Sequence, residues 1–199
     1  MFRNLFGNKK IDWSSKSRND KYEALKNAIF KNNLPELKKL IDAGVDINTT
    51  DEYSDQNVLV YYIQNCNKLD FEPSELIRFF IESGIDINHK GNKRTEQISA
   101  LHYAVLSKSL SSTIALVESG INIELQDKNG NTALWKGIMS YRGDSTAREI
   151  LNYLLQKGAS LDNDNHYGIS PRKLITTISE GIQAGHNDQK WDLSDLLSY

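Results

Sequence analysis

The sequence predicts an all-α solenoid of about five helix-turn-helix units, joined by β-turn or hairpin connections and closed by a short C-terminal capping helix. Three observations predict it. One phrase recurs four times without gaps: LIDAGVDIN at 40–48, FIESGIDIN at 80–88, LVESGINIE at 116–124 and LLQKGASLD at 154–162. Apolar residues before each phrase's glycine fall at helical spacing. Turn and N-cap signals open a second, shorter helical pattern upstream of the later phrases. A self-similar period of roughly 20–50 residues is the mark of repeat architectures. The phrase glycines are Gly44, Gly84, Gly120 and Gly158, so the steps are 40, 36 and 38 residues.

The longer helix of each unit comes first in the argument. An apolar pair stands four and three residues before each glycine: Leu40/Ile41, Phe80/Ile81, Leu116/Val117 and Leu154/Leu155. Leu37, Ile77 and Leu151 add an aliphatic side chain seven residues before it, and Thr113 is the exception. Together these places make one helix face. Glycine then ends the helix by taking the left-handed conformation at C′. The alternation after it, as in Val45-Asp46-Ile47-Asn48, is a short extended piece that leads into the next unit.

The shorter helices follow in chain order. Leu59 marks one in the second unit, without a clear turn motif before it. In the third unit Ser99 is the N-cap, and Leu101, Ala104 and Val105 form the buried face. Asn129-Gly130 is a hairpin-turn signal before the fourth, with Thr132 as N-cap and Leu134 and Ile138 four apart. Gly168, Ser170 and Pro171 repeat that grammar in the fifth, proline taking the first helical position.

These residues resemble ankyrin repeats. Asp127, Gly130, Thr132 and Leu134 match the early D-x-x-G-x-T-P-L-H-x-A motif of that family, as do Ala100, Leu101, His102 and Ala104. The four glycine phrases match its late motif, and Asn32-Asn33-Leu34-Pro35 stands at the family's inter-helix loop. Residues 1–19 are read as a basic N-terminal segment and 20–182 as the repeat array. Its units are about 20–48, 49–88, 89–124, 125–162 and 163–182, with 183–199 as the C-terminal cap, where Trp191, Leu193, Leu196 and Leu197 close the last face. Departures from the family are the long segments 65–75, 89–99 and 140–146, and bulky Tyr62 where a small residue is usual.

The resemblance implies a binding module rather than an enzyme. The family's motif histidine is structural, which assigns His102 a hydrogen-bonding role worth about 1 kcal/mol. His89, His166 and His186 show no ligand spacing with it, and Cys66 has no Cys or His partner. No nucleophile-elbow or phosphate-loop motif occurs, so catalytic, cofactor-binding and metal residues are all expected to be none. Such solenoids bind other proteins on a concave surface made by turns and inner helices. Carried over by position, that surface falls on Tyr61, Gln64, Tyr103, Leu106, Lys136 and Met139 of the inner helices, and on Tyr53, Arg94, Lys128 and Tyr167 of the turns.

Composition frames the partner. The 199 residues carry a net charge of −2, which gives no signal of nucleic-acid binding. Residues 1–40 hold 10 Lys/Arg against 4 Asp/Glu, net +6; residues 41–199 hold 14 against 22, net −8. One cysteine excludes an intrachain disulfide framework, and no apolar run reaches membrane-spanning length. The chain reads as cytoplasmic and monomeric when unbound. A short chain with irregular repeats resembles bacterial ankyrin-type proteins. Among those, immunity or antitoxin proteins bind a toxin, which an acidic body suits if the toxin is basic. Secreted effectors or scaffolds are the alternative, and an unrecognised enzyme the lesser one.

Overall fold

Each glycine phrase ends a helix in the way its spacing dictates. In the computed structural model, which describes residues 11–31, 33–65, 73–186 and 188–199, Gly44, Gly84, Gly120 and Gly158 have φ between +80° and +92°. The amide before each return closes back on the last turn: Val45 N–H to Leu40 O at 3.0 Å, Ile85 to Phe80 at 3.0 Å, Ile121 to Leu116 at 3.2 Å and Ala159 to Leu154 at 2.9 Å. That is one Schellman-type stop written four times.

Among the described residues nine α-helices follow in order: α1 Arg18–Phe30, α2 Leu34–Asp42, α3 Val58–Asn65, α4 Pro73–Glu82, α5 Ala100–Leu106, α6 Leu110–Glu118, α7 Ala133–Ser140, α8 Ser145–Gln156 and α9 Pro171–Gln183. No strand is present among them; only isolated antiparallel bridges, Thr50 with Asn57 and Lys90 with Ser99, tie the bases of two turns. The inner helices α1, α3, α5, α7 and α9 each pack on the next, and α4, α6 and α8 stack behind them. The expected N-caps form at Thr132 and Ser170, and Pro171 takes the first helical place. The expected C-terminal capping helix is two 3-10 turns, Gln189–Trp191 and Ser194–Ser198, lying against α9. Leu193 and Leu196 are buried in that cap, while Trp191 and Leu197 are half-buried.

Burial follows the phrase. Leu37, Leu40, Ile77, Phe80, Leu116, Leu151 and Leu154 are all buried. Thr113, the exception in the pattern, is also fully buried. Its hydroxyl donates to Ser109 O at 2.8 Å, so the polar atom is satisfied within the helix. Tyr62 fills the small-residue place of α3 without exposure, edge-on to Phe80 at 6.3 Å between ring centroids. The second unit thus uses one large aromatic where α5 has Ala104 and α7 has Gly137. Cys66 and most of segment 65–75 lie outside the described residues, as do residues 1–10.

Two ladders fix one repeat on the next. On the return turns, Asn48 Oδ1 accepts from Asp86 N–H at 2.7 Å. Asn88 Oδ1 accepts from Asn122 N–H at 2.8 Å, and Glu124 Oε1 from Ser160 N–H at 2.8 Å. The second ladder joins the β-turns: Asn92 N–H donates to Ser54 O at 3.0 Å, Lys128 N–H to Glu96 O at 2.8 Å and His166 N–H to Asn129 O at 2.9 Å. The last rung needs Gly130. Its φ is +80°, and a Cβ there would sit 2.7 Å from the His166 backbone nitrogen. Gly130→Ala is expected to lower stability by about 2 kcal/mol, from left-handed strain and a backbone clash. Urea unfolding measures it, and an unchanged midpoint would disprove this account of the turn.

Candidate partner-binding surface

His102 is fixed first, because it decides whether chemistry belongs on this surface. The side chain is fully buried at the start of α5. Its Nε2 lies 3.0 Å from Asn131 O, and Nδ1 lies 2.7 Å from Ser99 Oγ. A carbonyl only accepts, so Nε2 carries the proton and Nδ1 accepts from the Ser99 hydroxyl. Burial pushes the imidazole pKa down to about 4, against the opposing pull of the Asn131 carbonyl and the Asp127 charge. His102 is therefore a neutral strut between the third unit and the turn of the fourth. With two bonds and no exposure, its removal costs more than the single bond expected from sequence.

Beside it, Asp127 ties the fourth turn. Its carboxylate accepts from Asn129 N–H at 2.8 Å and Asn131 N–H at 2.9 Å, and pairs with Lys136 Nζ at 2.8 Å. Burial raises the pKa of this carboxyl, but the Lys136 and backbone hydrogen bonds outweigh it and hold it below the ordinary value. Lys136, expected on the surface of the inner helices, is mostly covered. Only 15% of its side chain is accessible, and its charge is committed to Asp127.

The inner-helix residues separate into two rows by their distance from the N-cap. Tyr61, Tyr103 and Lys136 each stand four residues after Asn57, Ser99 and Thr132. All three are half-buried and tied to neighbours. Tyr103 Oη meets Gln56 Nε2 at 3.2 Å, and the Tyr61 ring carries Lys26 Nζ 5.1 Å from its centroid. Gln64, Leu106 and Met139 each stand seven residues after the cap, and all three are exposed. Places four and seven share one helix face, so a supporting row lies beside an open row.

Two residues of this face were missed. Lys26 bridges the Tyr22 and Tyr61 rings and pairs with Glu23 at 2.7 Å. Phe30 is 65% exposed at the end of α1. Lys31 and Ser107 are the C-caps of α1 and α5, and Ala28-Ile29 precede Phe30 as Ala104-Val105 precede Leu106. Phe30 therefore heads the open row. Aligning those two dipeptides in the sequence would have found it.

The turn residues form a line of their own. Tyr53 and Tyr167 are the most exposed tyrosines of the turns, at 67% and 72%. Arg94 lies over Tyr53, its guanidinium carbon 4.8 Å from the ring centroid. Lys128 pairs with Glu96 at 2.6 Å. Among the described residues, no three His, Cys, Asp or Glu side chains converge as metal ligands would, and no helix is long and apolar enough to cross a membrane.

Comparison with known proteins adds two findings. A family model of ankyrin repeats, three copies, matches residues 25–127 and 70–165. Over 143 residues the chain is also 29% identical to the E3 ubiquitin-protein ligase hecd-1 of Caenorhabditis elegans. That match covers 71% of this chain and 5% of the ligase, so the chain spans about a twentieth of that relative.

Proposed function

Because the chain belongs to the ankyrin-repeat family, we propose that it is a non-enzymatic interaction module that holds a partner protein on its concave face and turns. The observation that supports this reading is the open row. Gln64, Leu106 and Met139 repeat on successive inner helices, backed by half-buried Tyr61 and Tyr103. Exposed apolar side chains over rigid aromatics are what an interface hot spot requires. The line Tyr53, Arg94, Lys128 and Tyr167 extends it along the turns.

The finer reading is a bacterial immunity or antitoxin protein that neutralises a toxin, with a secreted effector or scaffold as the alternative. The acidic excess supports a basic toxin only on one side. Asp42, Glu82, Glu118 and Glu149 stand on outer helices, and Asp46 and Asp86 on return turns. A basic partner would use those surfaces, away from the open row.

The test is affinity capture from native extract, then calorimetry with the captured partner. Met139→Ala and Leu106→Ala are expected to weaken binding by about 2 kcal/mol each, the hot-spot scale, with circular dichroism unchanged. Tyr103→Ala should weaken it similarly but also cost stability, since that ring packs on the core and holds Gln56. Wild-type affinity in all three variants would reject the concave-face reading.

A further inference from the structure

We propose that the open row receives an acidic amphipathic α-helix of the partner, with apolar residues seven apart along one side. The inference rests on the concave-face reading above and names the partner's chemistry. Two independent observations carry it, one of spacing and one of charge.

Spacing comes from the stack. Phe30, Gln64, Leu106 and Met139 occupy one register on α1, α3, α5 and α7, which pack on one another in that order. Packed helices lie about 8–10 Å apart. An α-helix rises about 1.5 Å per residue, so seven residues advance about 10.5 Å and return nearly to the same face. A helix laid across the inner helices therefore presents one side chain per repeat only if its anchors recur at seven. Phe30, Leu106 and Met139 are 65%, 38% and 50% exposed and give apolar seats, with Gln64 as a polar seat between the first two.

Charge comes from the loops that follow. Lys31 caps α1 immediately after Phe30, Lys108 lies two residues past Leu106, and Arg142 three past Met139. All three are exposed. Lys108 reaches Asp144 at 3.4 Å; Lys31 and Arg142 make no ion pair among the described residues. Arg142 instead lies over the Trp191 ring, 4.7 Å from its centroid, and bonds the Met139 and Tyr141 carbonyls. Cations thus stand in the loops just after the row at three of its four repeats, Lys108 sharing its charge with Asp144. Their complement is a helix with carboxylates flanking its apolar side.

The probes are three labelled synthetic helices: one with leucine every seventh residue and glutamate flanks, one with the same leucines and lysine flanks, and one with glutamate flanks and leucine every fifth residue. Binding to the full chain is read by fluorescence anisotropy at low salt. The first is expected to bind at least tenfold more tightly than either other. Phe30→Ala with Met139→Ala should weaken it at least tenfold, and Lys31→Glu with Arg142→Glu should remove its advantage over the lysine helix. Equal binding of the first and second helices, or of the first and third, overturns the proposal. So does undetectable binding of all three. If the captured partner still loses affinity in Met139→Ala, that result leaves the concave-face reading standing while the helix proposal falls.

Discussion

Leu154→Ala is expected to lower the unfolding free energy by about 2–5 kcal/mol. The side chain is fully buried in α8, which packs on both α7 and α6. Deleting three carbons there removes apolar burial and leaves a cavity that two rigid helices cannot close. Gln156, two residues on, is exposed, and its alanine variant should stay within about 0.5 kcal/mol of wild type. Urea unfolding distinguishes the two. Repeats contact only their neighbours, so hydrogen exchange in the Leu154 variant should rise first in α8 and the helices packed on it, α6 and α7, and least in α1. A uniform rise, or a neutral midpoint, would contradict the packing described.

Acid should find His102. The folded imidazole titrates at about 4 and the unfolded one at its ordinary 6.5. Between these values the unfolded chain binds a proton that the folded chain refuses, so stability falls as pH drops through that window. It is unaffected by this group above about 6.5 and levels off below about 4. At about 1.4 kcal/mol per pH unit, the window of about 2.5 pH units sets a limiting loss of about 3.5 kcal/mol. Protonation would put a hydrogen on Nδ1, against Ser99 Oγ, at a fully buried position. Carboxylates held low by their hydrogen bonds, Asp51 and Asp127 among them, lose their contribution only as pH falls below their ordinary 3.8. The measurement is the urea midpoint at pH 7 and pH 4.5 for wild type and for His102→Gln, which starts less stable but cannot titrate. An equal drop in both proteins would remove His102 from the account.

The fold was legible because its signals are local. The helix face, its glycine stop and the turn before the next helix all lie within one phrase, and each residue acts on neighbours a few places away. Thr113 looked like a break in the pattern only because its internal bond to Ser109 is not readable from residue type. The exposed row proposed as the binding surface was legible in part. Position in the repeat located Gln64, Leu106 and Met139 on the open row. It could not tell that Lys136 turns back onto Asp127, because that bond depends on how the turn folds over α7. Lys26 was missed for a similar reason: its aromatic contact, Tyr61, belongs to the next unit. Phe30 was passed over because α1 lacks the early motif that sets the register elsewhere.

The return-turn ladder carries a consequence for how such a chain grows. In each rung a side chain of one unit grips a main-chain N–H of the next: Asn48 that of Asp86, Asn88 that of Asn122, Glu124 that of Ser160. The donor belongs to the peptide bond, so the grip does not ask which residue supplies it. Aspartate, asparagine and serine are accepted alike. A duplicated or transplanted unit with the same turn would be gripped without any matching change in its neighbour. Length differences then collect elsewhere, and the uneven glycine steps of 40, 36 and 38 residues leave the rungs intact. The ladder is in this sense a universal coupling, under which whole repeats can be gained, lost or exchanged as cassettes while their exposed faces diverge.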